Sequence, residues 1–140
     1  VGYRSDVGIG MAFVNKAAAR EFVLKVQACQ PDHVREALTE YSVVFGASEQ
    51  EPVLFLGHYE STKWYPSYPE VMAHAVLGTL AEEAGAATRF VRTGEDIGDD
   101  EETDSSYIPL LHECLYDVIQ ITRRVSCDIP YDASTPLSLI

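Results

Sequence analysis

The chain has 140 residues, 46% hydrophobic and 23% charged, ordinary proportions for a globular domain with a sizeable core. Its 22 acidic and 10 basic residues give a net charge of -12, which argues against holding a phosphate backbone through clustered Lys and Arg. Cys29, Cys114 and Cys127 are odd in number and widely spaced, so they predict free thiols in a reducing compartment rather than a disulfide framework or a zinc site. The N-terminus lacks a signal-peptide apolar region, and no stretch approaches the roughly 18 apolar residues of a membrane span.

Residues 7–14 alternate with period two. Val7, Ile9, Met11 and Phe13 fall on one face, and Gly8, Gly10, Ala12 and Val14 on the other. This predicts a strand packed on helices, with a glycine-lined reverse face that admits another backbone or chain. Asn15 is suited to cap a helix over 16–28 whose apolar side is Ala19, Phe22, Val23 and Val26, and Pro31 stops it. Asp32 is placed to cap a shorter helix over 33–41, with Val34, Ala37, Leu38 and Tyr41 apolar. Residues 42–45 and 53–59 are β-prone, and the polar turn from Gly46 to Pro52 makes them a hairpin.

Residues 61–71, Ser-Thr-Lys-Trp-Tyr-Pro-Ser-Tyr-Pro-Glu-Val, hold the only Trp and read as a stiff aromatic elbow from strand to helix. Ser67 and Glu70 have capping-box spacing. The helix over 68–84 is expected to use Met72, Val76 and Leu80 as its main apolar row, with Gly85 just past its end. Residues 88–93 predict a strand. Residues 95–104, seven of ten acidic, predict a solvated loop. Residues 114–125 read as a long strand with Leu115, Ile119, Ile121 and Val125 on one face. Residues 127–140 form a C-terminal tail or docking arm with an apolar end.

This order predicts an α+β, ferredoxin-like sandwich over residues 1–126, mainly antiparallel, with both helices on one face. The other sheet face is left for solvent, the tail or a partner.

Three segments carry a family resemblance: Gly2-Tyr3-Arg4-Ser5-Asp6-Val7, residues 61–71, and Phe90-Val91-Arg92-Thr93-Gly94-Glu95-Asp96. In this order they resemble a family of small proteins of tailed phages and prophages. The resemblance spans about two-thirds of the chain, from Gly2 to Asp96, and continues loosely through the last strand. It implies a phage origin and action in the host bacterial cytoplasm, and it implies no particular chemistry.

The residues themselves define no catalytic constellation. His33, His58, His74 and His112 are dispersed. A nucleophilic site built on Cys114 or Cys127 with a histidine and an acid is the one option, and no characteristic Cys/His spacing supports it. The acidic run lacks the alternating ligands and the glycine of an EF-hand, so neither metal nor other cofactor is expected. Lys63, Trp64, Tyr65 and Tyr68 are residue types that anchor protein interfaces, or they pack the corner between strand and helix. Asp99, Asp100, Glu101 and Glu102 are suited to a basic groove.

The expected partner is a bacterial host protein or ribonucleoprotein complex, blocked by protein–protein contact in the manner of an anti-CRISPR, without direct nucleic-acid or membrane binding. Charge reversal across 99–102 is then expected to weaken binding and leave thermal stability unchanged. The alternatives are a small enzyme acting on a nucleotide or metabolite, and a homodimer or assembly module that meets its copy through the glycine-lined face or the tail.

Overall fold

The computed structural model of the chain describes residues 2–106, 108–121 and 125–140. In chain order the elements are β1 (Ser5–Phe13), α1 (Lys16–Cys29), α2 (Asp32–Thr39), β2 (Ser42–Phe45), β3 (Val53–Thr62), α3 (Pro69–Glu83), β4 (Ala87–Gly94), β5 (Asp100–Ser105), α4 (Pro109–Val118), β6 (Ile119–Ile121) and β7 (Val125–Cys127), followed by a 3₁₀ turn, Pro136–Leu139. Five strands form one antiparallel sheet in the order β2-β3-β1-β4-β5. The first four have the ferredoxin-like arrangement, and β5 extends it by a hairpin from β4.

The alternation in β1 divides the molecule into two cores. Ile9, Met11 and Phe13 pack with Phe22 and Val26 of α1, Val34 and Leu38 of α2, and Ala73 and Leu77 of α3. Phe13, Phe22 and Phe55 meet edge or tilted, at centroid separations of 4.9 to 6.2 Å. Asn15 caps α1 by accepting from the Ala18 N–H at 2.9 Å, and the buried residues of α1 are those its spacing predicts.

Behind the sheet, Ala12, Leu56, Ala87 and Val91 pack against Leu111, Leu115, Ile119 and Val125. The glycine-lined face is therefore covered by this chain's own α4 and β6–β7 pair. A Cβ on Gly10 would stand 2.7 Å from Ile119 Cδ1 and 2.9 Å from Leu115 Cδ2, and one on Gly8 would stand 2.8 Å from both Ile119 Cγ2 and Val125 Cγ1. These contacts require the glycines.

Several local expectations are corrected. The strand expected over 114–125 begins as helix: Pro109 sits at N1, and Leu111, Leu115 and Ile119 recur every four residues, a helical spacing. Residues 122–124 and the Ile121 side chain lie outside the described residues. The acidic stretch is partly a strand, because β5 pairs with β4 from Thr88↔Ser105 to Thr93↔Asp100.

Helix α3 buries Val71, Ala73, His74, Leu77 and Ala81, whereas Met72 and Val76 are exposed. It is apolar nearly all round, so packing of its small residues chose the face. Its N-cap is Tyr68, without a side-chain capping bond, and the expected Ser67 cap does not form. Asp32 is the first residue of α2 rather than its cap.

The tail closes on its own chain. Val43 and Ser134 exchange both backbone hydrogen bonds, at 2.7 and 3.0 Å, along the outer edge of β2, and Leu139 is buried in the first core. The β5 edge has no neighbouring strand among the described residues.

Candidate functional site

The three segments that carry the resemblance meet at one end of the sheet. In an antiparallel sheet the start of β1 lies beside the ends of β3 and β4, which places residues 2–6, 61–65 and 94–99 together. The Tyr3 N–H donates to Tyr65 Oη at 2.7 Å, and the Tyr3 hydroxyl donates to Asp99 Oδ2 at 2.5 Å. The same hydroxyl accepts from the Asp96 N–H at 2.9 Å. Tyr3 is thus the tie between the aromatic elbow and the acidic turn.

Arg4 adds two links: its N–H donates to Glu95 Oε1 at 3.0 Å, and its guanidinium to the Ser61 carbonyl at 2.8 Å. Ser61 itself has φ +49°, in the left-handed region, and its N–H donates to Asp6 Oδ1 at 2.8 Å. These bonds hold a backbone conformation unfavourable for a residue with a Cβ.

Of the candidate binding residues, Lys63, Trp64, Tyr65 and Tyr68 share the elbow, and Tyr65 and Tyr68 meet edge to face at 5.0 Å. Asp99 joins them through Tyr3. Asp100, Glu101 and Glu102 continue along β5. Most of the acids are already engaged. Arg92 binds Asp99 at 2.7 Å and Glu101 at 2.8 Å, while Arg89 binds Glu102 and Asp104, each at 2.8 Å.

Burial opposes the charge on Arg89, but its hydrogen bonds to Asp104 and Glu102 more than offset this, and its pKa is raised. The Arg92 and Tyr3 hydrogen bonds hold the Asp99 carboxyl below its ordinary pKa. Asp96 and Asp100 are exposed and have no side-chain partner among the described residues. Over this end of the sheet and the adjoining β5 edge, seven acids from Glu95 to Asp104 outnumber Arg4, Lys63, Arg89 and Arg92, which leaves the surface negative.

Trp64 faces inward from the elbow. Its ring packs on Tyr59 at 5.5 Å, on His74 at 5.6 Å, and in a stacked arrangement on Phe90 at 6.1 Å. It stands between two cavities, both lined by Trp64, Val71 and His74. One, of about 310 Å³, lies between α3 and strands β1, β4 and β5. The other, of about 360 Å³, opens among Arg4, Glu40, Lys63 and Glu70.

His74, only 3% exposed, was read from the sequence as one of four scattered histidines, and its role was missed there. Its Nδ1 lies 3.0 Å from Tyr41 Oη and its Nε2 3.0 Å from Tyr59 Oη. Tyr59 donates to Glu40 Oε1 at 3.0 Å. A carboxylate only accepts, so Tyr59 must accept at His74, which places the imidazole proton on Nε2 and leaves Nδ1 to accept from Tyr41. The chain runs Tyr41, His74, Tyr59, Glu40, from core to surface. Burial lowers the His74 pKa to about 4, and burial followed by the charge on Glu40 raises that of Tyr59. Burial also raises that of Tyr41. The imidazole is neutral at physiological pH. The predicted Met72, Val76 and Leu80 row gives no signal for this group, because His74 lies off it.

The Cys114 and Cys127 thiols are poor nucleophiles where they sit. Burial, with nearby Asp128, pushes Cys127 up to about 12, and burial together with Asp117 and Glu113 raises Cys114. His58 Nε2 lies 3.2 Å from the Val125 carbonyl, and His112 lies beside Asp104 and stacks on Tyr116. Among the described residues no group of three or more His, Cys, Asp or Glu is arranged to hold a metal ion, and no helix is long and apolar enough to cross a membrane. The fold is that of an α+β, ferredoxin-like sandwich. Searches of protein-family models, curated proteins and solved structures found no match to the chain.

Proposed function

We propose that this is a non-catalytic phage protein that blocks a bacterial nucleic-acid-handling or defence complex, in the manner of an anti-CRISPR, by occupying a basic surface. One observation carries the reading: Tyr3 joins the aromatic elbow and the acidic turn into one continuous face at the end of the sheet. Aromatic anchors beside a surplus of negative charge suit a protein surface that normally receives phosphates. Tying the acids to Arg89 and Arg92 fixes their positions before binding, so less side-chain freedom is lost on docking.

The test is competition. A CRISPR effector complex is titrated with labelled target DNA in the presence of the purified protein, at low and at high salt. The reading expects displacement of DNA that weakens with salt and is lost in the Asp96→Lys/Asp100→Lys double variant. Those two positions are chosen because reversing Asp99, Glu101 or Glu102 would set lysine against Arg92 or Arg89 and disturb the fold. Reversal across 99–102 is therefore expected to lower thermal stability as well as binding. Displacement unchanged in the double variant sinks the acidic-face reading.

A further inference from the structure

We infer that the cavity between α3 and the sheet is a binding site for a small, flat aromatic or heteroaromatic ring that carries no negative charge. The site is built by tertiary packing. Helix α3 packs against β4 and leaves space between its Ala75–Gly78 side and the sheet, and the elbow closes one end with Trp64 stacked on Phe90. The result is an aromatic wall beside Ile9 and Met11, with the opposite wall formed by α3 at Ala75 and Gly78.

Three observations set the ligand class. The cavity, about 310 Å³, is at the small end of ligand sites, enough for one or two fused rings. The Trp64–Phe90 stack offers a π face, which favours a flat ring over a branched aliphatic group. No free charge faces a ligand from the floor. His74 is neutral and both its nitrogens are engaged by tyrosines, and Arg89 beneath the sheet is already paired with Glu102 and Asp104. An anionic ring would lose its hydration here without a counter-ion, because the one unpaired charge in the lining, Glu82 at the rim, is itself negative. Polar substituents are directed to the rim, where Thr88 donates to Glu82 at 2.8 Å.

The sole tryptophan gives the assay its reporter. The Trp64 indole N–H signal is followed in a nitrogen–proton correlation spectrum while p-cresol, indole and benzimidazole are added separately at pH 7.5, with benzoate as the charged comparison. Ligands of this size are expected to bind with Kd of about 0.1–1 mM. The proposal expects at least one neutral ring to shift the Trp64 signal saturably, and benzoate to bind at least about tenfold more weakly.

Gly78→Leu fills the cavity, because a Cβ at Gly78 meets nothing within 4 Å, and it raises helix propensity, so the variant should fold. Ala75→Leu is the second filling variant. Both should weaken binding at least about tenfold. Failure of all three neutral rings to move the Trp64 signal overturns the proposal. So does equal binding by either folded filling variant, or by benzoate.

Discussion

Lowering the pH should destabilise this protein through His74 in particular, well before its carboxylates titrate. In the folded chain the imidazole has a pKa of about 4, against roughly 6.5 for an unfolded histidine. Between those values the unfolded chain binds a proton that the folded chain refuses, so stability rises with pH across that window and is lost as pH falls through it. At pH 5 the ratio of the two binding polynomials is about 30, which corresponds to a loss of about 2 kcal/mol relative to pH 7.5. The assay is urea unfolding at half-unit steps from pH 7.5 to 5.0, for wild type and for His74→Phe. The variant should be less stable at pH 7.5, because Tyr41 loses its acceptor and Tyr59 keeps only Glu40. Its stability should nonetheless change much less over the range. Equal slopes for the two proteins, or a His74 ring titration by NMR with a midpoint above about 6, would refute the reasoning.

Gly10→Val should cost about 1–3 kcal/mol or more in the same urea assay, because the added methyls collide with Ile119 and Leu115; a cost near zero would mean α4 does not rest on β1. Arg89→Met should cost about 2–4 kcal/mol, since it leaves the Ile119 carbonyl, Asp104 and Glu102 without their donor, an effect partly relieved by hydration of the two exposed carboxylates. Thiol labelling with a disulfide reagent at pH 8 should modify exposed Cys29 first and Cys127 much more slowly, with the order lost in denaturant. Deleting residues 134–140 should lower the thermal midpoint by several degrees, because it removes the Ser134 pairing with Val43 and uncovers the site of Leu139; an unchanged midpoint would show the tail to be detachable.

Local periodicity made the first half of the fold legible. The alternation of Ile9, Met11 and Phe13 against Gly8 and Gly10, the Asn15 cap, and the Phe22 and Val26 stripe are each recorded within a few consecutive residues. The hairpin from β2 to β3 and the elbow were readable for the same reason. Reading failed where a segment was apolar on every side. Around α3 the pattern could not choose between the Met72–Val76 row and the His74–Leu77 row, and contact with α2 and the sheet chose the latter. It failed again at α4, where Leu111, Leu115 and Ile119 stand four residues apart but the β-prone residues of 114–125 predict a strand.

The sequence by itself determined the charge, the two faces of β1, and the residue types that gather at the elbow and the acidic stretch. Only the tertiary structure decided that Tyr3 would tie those two together, and that Arg89 and Arg92 would neutralise part of the acid. It alone aligned Glu40, Tyr41, Tyr59 and His74 into one hydrogen-bonded chain. The physical reason is range. Strand alternation and helix capping act over a few bonds, whereas a hydrogen bond between residues 96 positions apart exists only after the sheet has set its register.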